Sequence, residues 1–132
     1  MMKISGFLGA ALALAVPLWS GCATAPATSP ASTAEMSKSV LELRIEPGKV
    51  AEKCIKLDTG QRLSWRFESS AAVDFNLHTH RGRDVVTPVE HRGMTSHSGD
   101  HAVDAVGDYC MMWENRGGVP AFVKGEWRVA AR

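Results

Sequence analysis

From Val40 onward apolar and polar residues alternate with a period of two. That alternation limits the fold more than any other feature of this chain, because it suits strands with one buried face and suits helices badly. Leu41, Leu43 and Ile45 fall on one face of a run whose other face carries Glu42, Arg44 and Glu46. Pro47-Gly48 reads as a turn, and Ala51, Lys53, Ile55 and Leu57 continue the pattern more weakly up to a second turn at Asp58-Thr59-Gly60. Leu63, Trp65 and Phe67 alternate with Ser64, Arg66 and Glu68; Val73, Phe75 and Leu77 alternate with Asp74, Asn76 and His78. Val85, Val86 and Val89 surround Pro88, which indicates an edge strand or a bulge. The stretch from His91 to Asp100 is polar and glycine-bearing and reads as a loop, with a short strand beginning at Ala102-Val103. Tyr109, Met111 and Trp113 form one more face, and Val123, Trp127 and Val129 another. No stretch sustains apolar spacing of three and four, so little helix is expected. The expectation is an all-β chain: an antiparallel β-sandwich of seven or eight short strands over residues 40–132, with Trp65, Trp113 and Trp127 in its core.

The residues before Val40 have a different character. Lys3 precedes an apolar run from Phe7 to Leu18, the length of a signal-peptide core and short of the roughly 20 residues that span a bilayer. The run ends in Leu18-Trp19-Ser20-Gly21-Cys22, which resembles the lipobox of bacterial lipoproteins; Trp19 departs from the leucine usual there. The resemblance implies a signal peptide over residues 1–21, cleavage before Cys22 and lipid on Cys22. Ala23 after the cysteine points, by the same resemblance, to the outer membrane, facing the periplasm. Residues 22–39 are rich in Ala, Thr, Ser and Pro and lack apolar periodicity, so they read as a disordered tether that cannot bury enough surface to offset its ordering entropy.

With Cys22 lipidated, Cys54 and Cys110 remain as one pair, and an exported location favours a disulfide between them. Neither lies in a C-x-x-C motif, so redox catalysis has no support. Setting Lys3, Lys38 and Glu35 aside from the 15 basic and 14 acidic residues leaves 13 of each in the domain. A neutral domain has no electrostatic basis for nucleic-acid binding.

The ordered stretches Val73-Asp74-Phe75-Asn76-Leu77-His78 and Gly107-Asp108-Tyr109-Cys110-Met111-Met112-Trp113-Glu114-Asn115, following Pro47-Gly48, Cys54 and Leu63-Ser64-Trp65-Arg66-Phe67, resemble the GOLD (Golgi dynamics) domain and its bacterial relatives. The resemblance covers roughly residues 40–130. It implies a compact β-sandwich that recognises other molecules, with a bridge between an early and a late strand where Cys54 and Cys110 stand. The transmembrane cargo role of the eukaryotic members is not carried over, because fold transfers more safely than function.

Five histidines, His78, His80, His91, His97 and His101, crowd into 24 residues. His78 and His80 share a strand face with Asp74 and Asn76, and these four form the candidate binding face. Two imidazoles on one face plus a loop histidine, His91 foremost, also make a set that Zn²⁺ or Cu²⁺ accepts. The spacing argues against a blue-copper site, since every histidine precedes Cys110. Ser96, His97, Ser98 and Asp100 are near one another only along the chain, and a catalytic triad is defined by geometry. The sequence therefore leads to a lipid-anchored, non-catalytic binding module of the cell envelope with an envelope protein as partner and no cofactor. The alternative is a periplasmic Cu- or Zn-binding protein using His78, His80 and a loop histidine.

Overall fold

Among the residues that the computed structural model describes, 38–131, six antiparallel strands account for most of the chain. They are β1 (Lys38–Ile45), β2 (Val50–Leu57), β3 (Arg62–Arg81), β4 (Asp84–Ala102), β5 (Gly107–Glu114) and β6 (Ala121–Ala130). The signal segment, Cys22 and nearly all of the expected tether lie outside the described residues. The expected seven or eight short strands are replaced by four of ordinary length and two of 20 and 19 residues.

β3 and β4 form one long hairpin closed by Gly82-Arg83, with Gly82 in the left-handed region (φ 65°) that favours glycine. The free edge of β3 is used twice. Its first part, Arg62 to Ser69, pairs with β6, which in turn pairs with β1. Its second part, Asp74 to Thr79, pairs with β5, which pairs with β2. All six strands thus belong to one hydrogen-bonded sheet, and that sheet is curled.

The curl follows from β3 itself. Phe67 and Phe75 are eight residues apart, roughly 26 Å along a straight strand. Their ring centroids are 5.0 Å apart. The strand therefore turns back over Ser69–Val73, where its register against β4 shifts. Leu63, Trp65, Phe67, Val73, Phe75 and Leu77, all odd-numbered, are buried on the inside of the bend. Tyr109, Met111 and Trp113 from β5 and Leu41, Ile45 and Val123 from the β1–β6 pair complete the core. Each large apolar side chain buried this way contributes about 1.5–3 kcal/mol. Trp127, expected in the core, is only half-buried, with the Lys53 ammonium 5.4 Å from its ring centroid.

The loop expected over His91–Asp100 is instead part of β4. Its inward positions are Met94, His97, Gly99 and His101, so no apolar alternation marks it. Gly99 is required there: a Cβ at this position would lie 2.7 Å from Cζ2 of Trp65. The indole of Trp65 lies over the glycine and donates from Nε1 to Nδ1 of His97 at 3.1 Å.

Candidate functional site

Cys54 and Cys110 face each other directly across β2 and β5 and are joined by a disulfide. On the next strand, His78 of β3 lies directly opposite Cys110. One row thus crosses three strands on the outer face of the sheet, opposite to the core.

His78 is buried to 9 % relative exposure and is held at both ring nitrogens. Nδ1 is 2.8 Å from Oδ1 of Asn76, and Nε2 is 3.1 Å from Oε1 of Glu52 on β2. His80, exposed, meets His78 edge to face with centroids 5.4 Å apart. Asp74 stands on the same face. Its Oδ1 accepts from the backbone N–H of Gly93 at 2.9 Å, and its Oδ2 is 3.0 Å from Nε of Arg116. Arg116 also reaches Glu114 at 2.8 Å, and these acidic partners hold its guanidinium above its ordinary pKa.

The four residues read from the sequence as one face, Asp74, Asn76, His78 and His80, are therefore brought together, and Glu52 joins them from β2. Glu52 escaped the sequence reading because nothing local marks it. The signal that could have found it was the cysteine pair: if Cys54 lies opposite Cys110, Glu52 lies on the same face two residues away.

His91 does not belong to this group. It pairs in register with Phe75, on the inner side, and its ring centroid is 4.3 Å from that of His97. The set His78, His80 and His91 does not converge, because His91 occupies a strand rather than a loop free to reach across. His97 in turn stacks among Trp65, Phe67 and Phe75. Burial holds its imidazole below the ordinary value, and the neighbouring His91 adds to the effect. Accepting the Trp65 hydrogen bond at Nδ1 places the ring proton on Nε2, so neither nitrogen of His97 offers a lone pair to a metal while that bond stands.

Among the described residues, one set of three metal-ligand types lies close together: Glu52, His78 and Cys110, with donor atoms within 4.8 Å of one another. The sulfur of Cys110 is bonded to that of Cys54 and is not a thiolate in this state. As a base, His78 is poorly placed, since a general base needs a ring nitrogen directed at its substrate. Both of its nitrogens face neighbours instead. What this face offers is a set of oriented donors and acceptors on a stapled sheet.

No family model matches the chain, and no curated protein matches it. Solved structures are similar to it in fold. PliG from Aeromonas hydrophila, a periplasmic lysozyme inhibitor of g-type lysozyme, superposes with a TM-score of 0.55 over 73% of this chain and 89% of that one, at 12% identity. The Yersinia pseudotuberculosis-derived mitogen covers 74% of this chain and 87% of its own, with a TM-score of 0.49 and 10% identity. The similarity to PliG, at such identity, shows the fold alone, and the fold of this chain is an antiparallel all-β one.

Proposed function

We propose that this chain is a non-catalytic binding protein of the cell envelope, tethered by lipid on Cys22, and that the face around His78 is its contact surface. The observation that carries this reading is the arrangement at His78: Asn76 and Glu52 fix the imidazole from both sides, beside Asp74 and His80, on a face stapled by Cys54–Cys110. Such a surface is pre-organised for recognition, and preorganisation lowers the ordering cost of binding.

Three further points support it. The disulfide fits an oxidising compartment such as the periplasm. A chain of similar fold, PliG, is a periplasmic lysozyme inhibitor of g-type lysozyme. The GOLD resemblance, carried by the stretches at residues 73–78 and 107–115, also implies recognition. The partner class favoured here is an envelope or secreted protein, and a g-type lysozyme is the first one to assay.

Fatty-acid labelling in cells tests the tether: label on the unmodified chain and none on Cys22→Ser is expected, while label persisting in Cys22→Ser defeats it. Crosslinking from the envelope tests the recognition role. A specific protein adduct, reduced when Asp74 and His80 are both replaced by alanine, is expected. An adduct indifferent to both replacements would place the contact elsewhere.

A further inference from the structure

We propose that reduction of the Cys54–Cys110 disulfide creates a binding site for a zinc-class divalent cation, formed by Cys54, Cys110, His78 and Glu52. The proposal is independent of any protein partner and of the lipid anchor.

The geometry begins with the row across β2, β5 and β3. Cys54, Cys110 and His78 are successive register partners, and adjacent strands in a sheet lie about 4.8 Å apart. Glu52 joins from the position two residues before Cys54, on the same face. The donor atoms of Glu52, His78 and Cys110 already lie within 4.8 Å of one another, and Nε2 of His78 is 3.1 Å from Oε1 of Glu52. Tetrahedral zinc, with bonds of about 2.0–2.3 Å to nitrogen, oxygen and sulfur, sets its ligand atoms roughly 3.3–3.8 Å apart. The separations among Glu52, His78 and Cys110 exceed that spacing by no more than about 1.5 Å.

The hydrogen bonding around His78 points the same way. Oδ1 of Asn76 can only accept, so Nδ1 of the ring supplies the proton in that 2.8 Å contact. In the neutral ring the lone pair is then on Nε2, and it faces the carboxylate oxygen of Glu52. The Nε2 lone pair and the Glu52 carboxylate oxygen thus converge 3.1 Å apart, the arrangement of two ligands of one cation. Asn76 thereby has the part of a second-layer residue that fixes the tautomer and aim of a metal-binding histidine.

The disulfide decides which cation the row can hold. Bonded sulfur is a weak ligand, whereas two thiolates beside an imidazole and a carboxylate select a borderline-soft ion over calcium or magnesium. The step balances with a dithiol reductant: its two thiols become a disulfide while Cys54 and Cys110 each gain a hydrogen. With a trialkylphosphine, one water supplies the oxygen of the phosphine oxide and the two hydrogens of the thiols. Metal binding then releases both thiol protons to solvent. Cys54 and Glu52 are exposed and leave the row open to solvent, while Cys110 and His78 are buried beside it.

The experiment uses the full chain, oxidised or reduced with a trialkylphosphine, titrated with Co²⁺ alone and then with Zn²⁺. The reduced chain is expected to take up one Co²⁺ with a thiolate-to-cobalt charge-transfer band, and Zn²⁺ to displace it; the oxidised chain shows no such band. Asn76→Ala is expected to weaken Zn²⁺ binding by roughly 10–100-fold, His78→Ala by at least as much, and His91→Ala to leave it unchanged. A reduced chain with no band overturns the proposal. So does a reduced chain whose Zn²⁺ affinity is unaffected by both Glu52→Gln and His78→Ala, since a bare pair of thiols would then account for binding. If circular dichroism shows that reduction unfolds the chain, Zn²⁺ must restore the strand signal; failure to do so overturns the proposal equally.

Discussion

Replacing Asn115 by alanine should destabilise the domain by about 3 kcal/mol, and the figure follows from what its side chain holds. Asn115 is fully buried at the end of β5. Its Nδ2 donates to the carbonyl of Ile45 at 2.9 Å and to that of Val119 at 2.8 Å, and its Oδ1 accepts from the N–H of Gly117 at 2.9 Å. Its backbone exchanges two further bonds with the turn after β1, receiving from Gly48 and donating to Lys49. The side chain thus joins the end of β1 to the loop before β6, while the backbone holds the turn leading to β2. Alanine keeps the backbone bonds and orphans three groups. The contact to Ile45 is fully buried, and an unsatisfied group there costs about 1–3 kcal/mol; the other two are partly exposed and cost less. Urea unfolding followed by tryptophan fluorescence measures the result. With a slope of about 1–3 kcal/mol/M for a small domain, the midpoint should fall by roughly 1–3 M. Asn115→Asp should be at least as damaging, because it sets a carboxylate against two carbonyls. A midpoint shift worth less than about 0.5 kcal/mol for alanine, or an aspartate variant as stable as the parent, would refute the reasoning.

Other outcomes follow from the same structure. Removing the Cys54–Cys110 bridge by paired alanine substitutions frees a 56-residue separation and should lower stability by about 4 kcal/mol, read from urea midpoints of the two proteins without reductant. His97, held below the ordinary imidazole value of about 6.5, supports the folded state fully above that pH. Its contribution is lost as pH falls from there through the folded-state pKa, and His97→Gln should flatten this part of the stability profile. Gly125→Ala should destabilise by about 1–3 kcal/mol, since its Cβ would lie 2.7 Å from the carbonyl oxygen of Arg66 and 2.9 Å from Cβ of Phe67; an unchanged thermal midpoint would contradict that.

Much of the sheet was legible because its inward positions are apolar. Leu63, Trp65 and Phe67, then Val73, Phe75 and Leu77, alternate plainly, and the structure buries all six on one side of β3. The continuity of β3 through Ser69–Ala72 was not legible, since the bend there has a polar and alanine composition that reads as a break. β4 was hidden for a different reason. Beyond Met94 its inward residues are histidines and a glycine; His97 and Gly99 fit beside and beneath Trp65, and hydropathy cannot register that fit. The same error misplaced His91, which a loop would have left free and a strand fixes beside His97. At the candidate site, period two placed Asp74, Asn76, His78 and His80 on one side, whereas Glu52 depends on which strands are neighbours, information that only the cysteine pairing carried.

The face around His78 is the heart of the proposed role, and site-directed photo-crosslinking in cells tests it most directly. A photoreactive residue at exposed His80 should capture a discrete partner protein, and one at exposed Phe122, on the other half of the sheet, should not. Capture from position 122 with none from position 80 would contradict the account.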